Sequence, residues 1–337
     1  MTNVQEKTET KPAKEGSSSK WAAIAKRQVQ QSLAFGTLVI LFVFFTFANP
    51  NFLSWSNISG VLLSTAVIGI LALGTTFVIV TGGIDLSIGT GMTLTAVVTG
   101  LLIVNFGLPV WAGILGGILT GVAIGFVNGF NVAILGLPPF IATLAMMMVA
   151  QGLSLILSGV KPIYFSTAAP NFKQIAIGSA IPGLPNAVLI TIVLAIIGAF
   201  VLSKTALGRY TFAIGSNEEA ARLSGVDVRR WKILIYSFSG IFTGVAGVII
   251  ASRLDSAQPQ IGMGYELQAI AAVIIGGTSL LGGRGSVVGT VIGALIMSVL
   301  INGLRIMSIQ TEWQTVVVGL VILIAVYADN LRRKQGN

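Results

Sequence analysis

The chain of 337 residues contains no cysteine and no histidine, and only 9% of its residues are charged. Without cysteine there are no disulfides, thiolate nucleophiles or thiolate metal sites. Without histidine the commonest metal ligand is gone, as is the side chain best suited to carry protons near neutral pH. An intramembrane enzyme or a metal carrier is therefore disfavoured, and no cofactor or metal is expected. No Gly-Lys dipeptide occurs, so there is no G-x-x-x-x-G-K-[ST] phosphate loop. Any dependence on ATP must then come from a partner.

Apolar surface is what the chain has in quantity. It is 54% hydrophobic, with a mean hydropathy of +0.90, whereas a soluble domain runs near about 25% charged. Apolar runs of about 20 residues, the length that crosses a bilayer, recur along the chain. The fold class is all-α: a polytopic integral membrane helical bundle. A transmembrane barrel would show alternating segments of about ten residues instead.

Ten spans are expected, at 33–49, 58–80, 86–104, 109–127, 135–158, 185–203, 232–252, 266–282, 286–305 and 311–328. With the N-terminus inside, sixteen Lys and Arg residues fall on the inner side. Only four, Lys161, Lys173, Arg253 and Arg305, fall outside. That asymmetry places both termini in the cytoplasm, and it explains the net charge of +9 without nucleic acid. Residues 1–32 read as a disordered cytoplasmic tail in which Trp21 to Gln31 forms a short interfacial helix. Residues 33–330 form the transmembrane domain and 331–337 a basic cytoplasmic tail. No signal peptide is expected, because the first apolar run ends at Asn49-Pro50 without a small-residue cleavage site.

The longest polar interval, 204–232, lies on the inner side. Within it Ser216 or Asn217 can cap a short helix, Glu218 and Glu219 sit in its first turn, and Gly225 ends it. Two readings are open: a solvated loop with a helical turn, or a rigid projection that receives a push from a soluble motor. The outer segment 159–184 is punctuated by Pro162, Pro170 and Pro182, with Ile175–Ile177 as a short strand or amphipathic piece. It is either a surface loop or part of a docking surface for an external partner.

Two helix junctions are alike. VIVTGGIDLSIGTG (78–91) and VIIGGTSLLGGRGS (273–286) share a β-branched run, a Gly-Gly pair and further glycine. Interrupted helices in matching positions point to a translocation path, although glycine bias alone also produces such a match. Asp85, in the first junction, is the one acid embedded between apolar segments. Such an acid is a candidate for function. The preferred reading is a cap for the third span that accepts from the amides of Ser87 or Ile88, since a lone carboxylate makes a poor proton relay. Polar residues within the spans, among them Asn128, Asn131, Gln151, Gln268 and Asn302, are either interhelical contacts or the lining of a path for a neutral polyol.

The runs TGGIDLSIG (81–89), ALGRYTFAIGSNEEAARLSGV (206–226) and IGGTSLLGGRGSVVGTVIGA (275–294) resemble the membrane subunits of bacterial ABC importers for monosaccharides. The nearest group is the ribose-type permeases, relatives of those for xylose, arabinose, galactose and autoinducer-2. The resemblance covers about residues 33 to 330. It implies a permease subunit in the inner membrane, its partners being a cytoplasmic subunit with tandem ATPase modules, a periplasmic or lipid-anchored sugar-binding protein, and a second permease copy as a homodimer. It also implies that Gly215, Asn217, Glu218, Ala220, Ala221 and Gly225 belong to the segment that couples to the ATPase; Glu219 and Arg222 lie in the same charged helix. Other readings are a permease for branched-chain amino acids or nucleosides, and a self-sufficient secondary transporter.

Overall fold

The computed structural model describes residues 18–334, with side chains from 32 to 331. The chain begins with α1 (Ser18–Ala48), α2 (Trp55–Val80) and α3 (Ile88–Gly100), the last continued by a π-helical turn at Leu101–Asn105. Next come α4 (Val110–Ala133), α5 (Pro139–Ser158), β1 (Ile163–Tyr164), α6 (Gln174–Ile177) and α7 (Asn186–Lys204). Two short helices follow, α8 (Ala206–Ser216) and α9 (Glu218–Leu223), and then the long α10 (Val228–Leu254) and β2 (Ser256–Ala257). The chain closes with α11 (Tyr265–Ile275), α12 (Val287–Ile306) and α13 (Thr311–Lys334). Among the described residues, eight helices are long and apolar enough to cross a membrane, and Ser32–Ala48 and Tyr265–Ile275 are shorter apolar helices.

Burial explains the arrangement. Every residue of α2 from Thr65 to Val80 is buried, so α2 is the post around which α7, α10, α11 and α12 pack. Helices α4 and α10 pack through glycine. Gly113, Gly117, Gly121, Gly125 and Gly129 recur every fourth residue on the buried side of α4. A Cβ on Gly121 would stand 2.7 Å from the Gly244 nitrogen, so only backbone fits between the two helices. The outward faces of α5, α7 and α13 expose Ile141, Met148, Ile196, Phe200, Leu323 and Ile324, the surface that lipid covers.

Several boundaries differ from the sequence expectation. The disordered tail drawn at 1–32 is helical from Ser18, because Ala22, Ala23, Lys26, Gln28 and Gln31 favour helix and no Gly or Pro interrupts them. Trp21–Gln31 is thus the first part of α1, not a separate helix, while residues 1–17 lie outside those described. At the other end, α13 carries its helix to Lys334. The span drawn at 266–282 stops at Ile275; its eleven residues rise about 16 Å, roughly half of a bilayer core. In the outer segment, Ile175–Ile177 falls in α6, a helical turn. That turn is held by Ser252, whose hydroxyl donates to Phe172 O (2.7 Å) and accepts from Ala176 N (2.9 Å).

The two glycine junctions end their helices alike. Gly82 N donates to Ile79 O (2.8 Å) and Gly83 N to Val78 O (3.1 Å). In the same register, Gly277 N donates to Ile274 O (2.9 Å) and Thr278 N to Val273 O (3.1 Å). Gly82 and Gly277 both take positive φ, 81° and 94°, the left-handed turn that closes a helix of this kind. Beyond this turn the junctions diverge. The first runs extended to α3, and the second loops through Gly282 and Gly283 to Ser286, whose hydroxyl accepts from Gly289 N (3.3 Å) at the start of α12.

The starts of α3 and α11 meet inside the bundle. Gly262 N donates to Thr93 Oγ1 (2.9 Å), and that hydroxyl contacts Gly89 O (3.3 Å). Irregular backbone persists at such depth because protein groups satisfy it. Leu86 N donates to the Thr143 hydroxyl (3.2 Å), which reaches Ile84 O (3.2 Å).

Candidate functional site

Between α7 and α10 the polar interval 204–232 folds into two helices, not one. Thr205 caps the first by accepting from Gly208 N (3.4 Å). Gly208, Thr211 and Ile214 form the buried side of α8. The signal for α8 was in the sequence, as a threonine followed by apolar or small residues at helical spacing. The ring of Tyr210 lies 4.5 Å from that of Trp231 and pins α8 to the start of α10.

The second helix, α9, has the expected punctuation. Asn217 accepts from Ala220 N (2.9 Å). At the other end Gly225, with φ of 85°, donates to Arg222 O (3.0 Å), and Val226 N donates to Ala221 O (3.1 Å). Glu218 is committed within the chain: it meets Lys232 Nζ of α10 at 2.7 Å. Glu219 pairs with Arg222 on the open surface at 3.1 Å. Only Ala221 of α9 is buried, and Leu223 is 81% exposed.

The end of α8 connects this projection to both glycine junctions. Gly215 packs directly on the Val80 carbonyl and beside Gly283 N, and a Cβ on Gly283 would stand 3.2 Å from Ser216 Cα. Gly283 N in turn donates to Val80 O (2.9 Å). Three glycine-rich backbones thus touch at one point: the end of α2, the loop before α12, and the end of α8.

The candidate path residues separate into groups. Asp85 and Asn128 come together around Ser87. Asp85 Oδ1 accepts from Ser87 N (2.9 Å) and from its hydroxyl (2.7 Å), while Asn128 Nδ2 donates to Ser87 Oγ (2.8 Å). Asp85 thus closes a local turn with Ser87 just before α3, while Ser87 is the N-cap residue and no side chain caps the helix amides. Asn131 is on the same helix as Asn128, one turn on and partly buried. Gln151 stands apart on α5, donating to Pro259 O (3.2 Å).

Gln268 and Asn302 face a common cavity of about 130 Å³, together with Ser64, Tyr265, Ser298 and Arg305. Ser64 precedes Val80 by sixteen residues on α2, about 24 Å of helix rise. The cavity is therefore far from the α8–α9 projection. Ser64 and Ser298 were not singled out from the sequence, since serines inside helices ordinarily bond their own backbone.

Residues 57–326 match the family model described as branched-chain amino acid transport system / permease component. The chain is 41% identical over 299 residues to the ribose import permease protein RbsC of Haemophilus influenzae, covering 88% of this chain and 92% of that protein. It is 46% identical over 293 residues to RbsC of Bacillus subtilis, covering 87% and 90%. With the D-allose transport system permease protein AlsC of Escherichia coli it shares 37% over 297 residues, covering 88% and 90%.

Proposed function

The chain belongs to the permease-component family of the branched-chain amino acid transport systems, and from that premise we propose that it is the membrane subunit of a binding-protein-dependent ABC importer for ribose or a closely similar monosaccharide. One observation carries the reading. A capped, solvent-facing helix, α9, is joined through α8 to the end of α2 and the loop before α12, in a chain with no phosphate loop of its own. Such an arrangement receives motion; it does not generate it.

In this reading a cytoplasmic partner with tandem ATPase modules docks on α9. A periplasmic or lipid-anchored binding protein delivers sugar at the opposite end, and two copies of the permease frame the path. Both termini and the α8–α9 projection lie in the cytoplasm, as the excess of Lys and Arg on that side favours. ATP-driven closure of the motor displaces α9, and the glycine contact hands that displacement to the two junctions. The ribose and allose names of relatives at 37–46% identity support a sugar over an amino acid.

The test is complementation. In cells lacking their own ribose permease but keeping its partners, this chain restores uptake of labelled D-ribose. Restored leucine uptake without ribose uptake contradicts the reading.

A further inference from the structure

The cavity between α2, α11 and α12 has a lining that suits one chemical class. We propose that it is a holding site for the transported monosaccharide; the proposal rests on the function above and names where the solute stops on its way through.

The wall combines hydroxyls (Ser64, Ser298), amides (Gln268, Asn302), a guanidinium (Arg305), a tyrosine ring (Tyr265) and two isoleucines. Amides and a guanidinium give paired hydrogen bonds to neighbouring hydroxyls, and an aromatic face takes the C–H side of a sugar ring.

Two atoms in this wall have no partner. Ser298 is 1% exposed, and neither its Oγ nor the buried Asn302 Oδ1 makes a hydrogen bond. The neighbouring case is different: Thr65, Thr75, Thr76, Thr191 and Ser154 each turn the hydroxyl back onto the carbonyl four residues earlier. Ser298 keeps its hydroxyl free. A buried polar atom left unmet is costly, so the cavity favours a guest that brings donors.

That requirement selects the class. An ionised carboxylate brings only acceptors and leaves Asn302 Oδ1 unmet, and a cation, an amino-acid ammonium included, faces Arg305 and also Arg253, which donates to Ser64 Oγ (3.2 Å). A neutral polyol donates and accepts at each hydroxyl. The cavity, about 130 Å³, is on the scale of a single small solute. Arg305 is the one charged side chain of the lining, and a neutral solute meets it through hydrogen bonds alone, so the hold is weak, as a transport stop must be for the solute to leave.

The absence of native cysteine makes the test direct. In the assembled importer, with its ATPase and binding protein, the Ser298→Cys permease is labelled with a small neutral thiol reagent. With D-ribose at ten times its dissociation constant for the site, labelling slows about tenfold, and leucine gives no protection. Thr311→Cys, exposed at the start of α13, labels at the same rate with or without sugar. As a second measurement, Ser298→Leu fills the cavity and lowers ribose uptake about tenfold, while loaded binding protein still stimulates ATP hydrolysis. A wild-type complex that transports ribose, yet shows no protection at Ser298→Cys or full uptake with Ser298→Leu, overturns the proposal. A wild-type complex that moves no monosaccharide overturns the functional reading itself, and this proposal with it.

Discussion

Gly283 donates its backbone N–H to the carbonyl oxygen of Val80 across 2.9 Å, and Gly215 of α8 rests against both groups. Here the α8–α9 projection, the end of the central helix and the second glycine loop share backbone contact. A side chain at 215 would collide with the Val80 carbonyl and stand 2.7 Å from Gly283 N. Gly215→Ala therefore separates these elements, at about 1–3 kcal/mol. Nucleotide-driven uptake is expected to fall about tenfold or more in protein that still inserts. Gly152→Ala, where nothing lies within 4 Å, serves as the control and keeps wild-type uptake. Equal uptake by the two variants would remove the contact from the coupling route.

Glu218 lies closer to the fold than its exposed position suggests, because its 2.7 Å pair with Lys232 ties α9 to α10. Glu218 is half exposed, so the pair contributes only about 0.2–1 kcal/mol. What it does is tie the start of α9 to α10. Glu218→Lys is expected to impair uptake, and Glu218→Lys with Lys232→Glu to restore most of it. A double variant as impaired as the single one would show that Glu218 acts on a partner.

Leu223 offers the complementary experiment. At 81% exposure it contributes little to the fold, while burying a leucine against a partner is worth about 1.5–3 kcal/mol. Leu223→Ser should leave melting in detergent unchanged. It should weaken co-purification with the ATPase subunit by about tenfold or more. A lowered melting temperature with unchanged co-purification would place Leu223 in the fold instead.

For Asp85 the structure points to a turn that leads into α3. Its Oδ1 holds Ser87 N at 2.9 Å, and losing such a hydrogen bond costs about 1 kcal/mol. Asp85→Ala should lower the melting temperature, and Asp85→Asn, which keeps an acceptor, should recover most of it. The pH profile of uptake should not move in either variant. A shifted profile would make Asp85 a proton carrier.

Bilayer thickness made the spans legible, because apolar runs of the required length stand out against 9% charge. Hydropathy alone misjudged α11. Leu280 and Leu281 extend its apolar run past Ile275, whereas the helix ends on hydrogen bonds at Gly277. Local chemistry found Asn217, Gly225 and Asp85, since caps and turns act within a few residues. The pairing of β1 with β2, Ile163 opposite Ala257, joins distant segments and left no local mark. The same holds for the cavity. Gln268 and Asn302 meet in it and Gln151 does not, a distinction set by the rotation of helices about their axes. Serine was overlooked because its usual bond to the helix backbone hides the exception at 298.

The central claim is that this chain forms a path but supplies no driving force, and that force enters through α9. The most direct measurement is labelled D-ribose uptake into liposomes holding the purified chain, with and without its ATPase subunit, binding protein and ATP. The account predicts uptake only with all three present, and its loss when ATP is replaced by a non-hydrolysable analogue. Rapid gradient-driven uptake by the chain alone would contradict it.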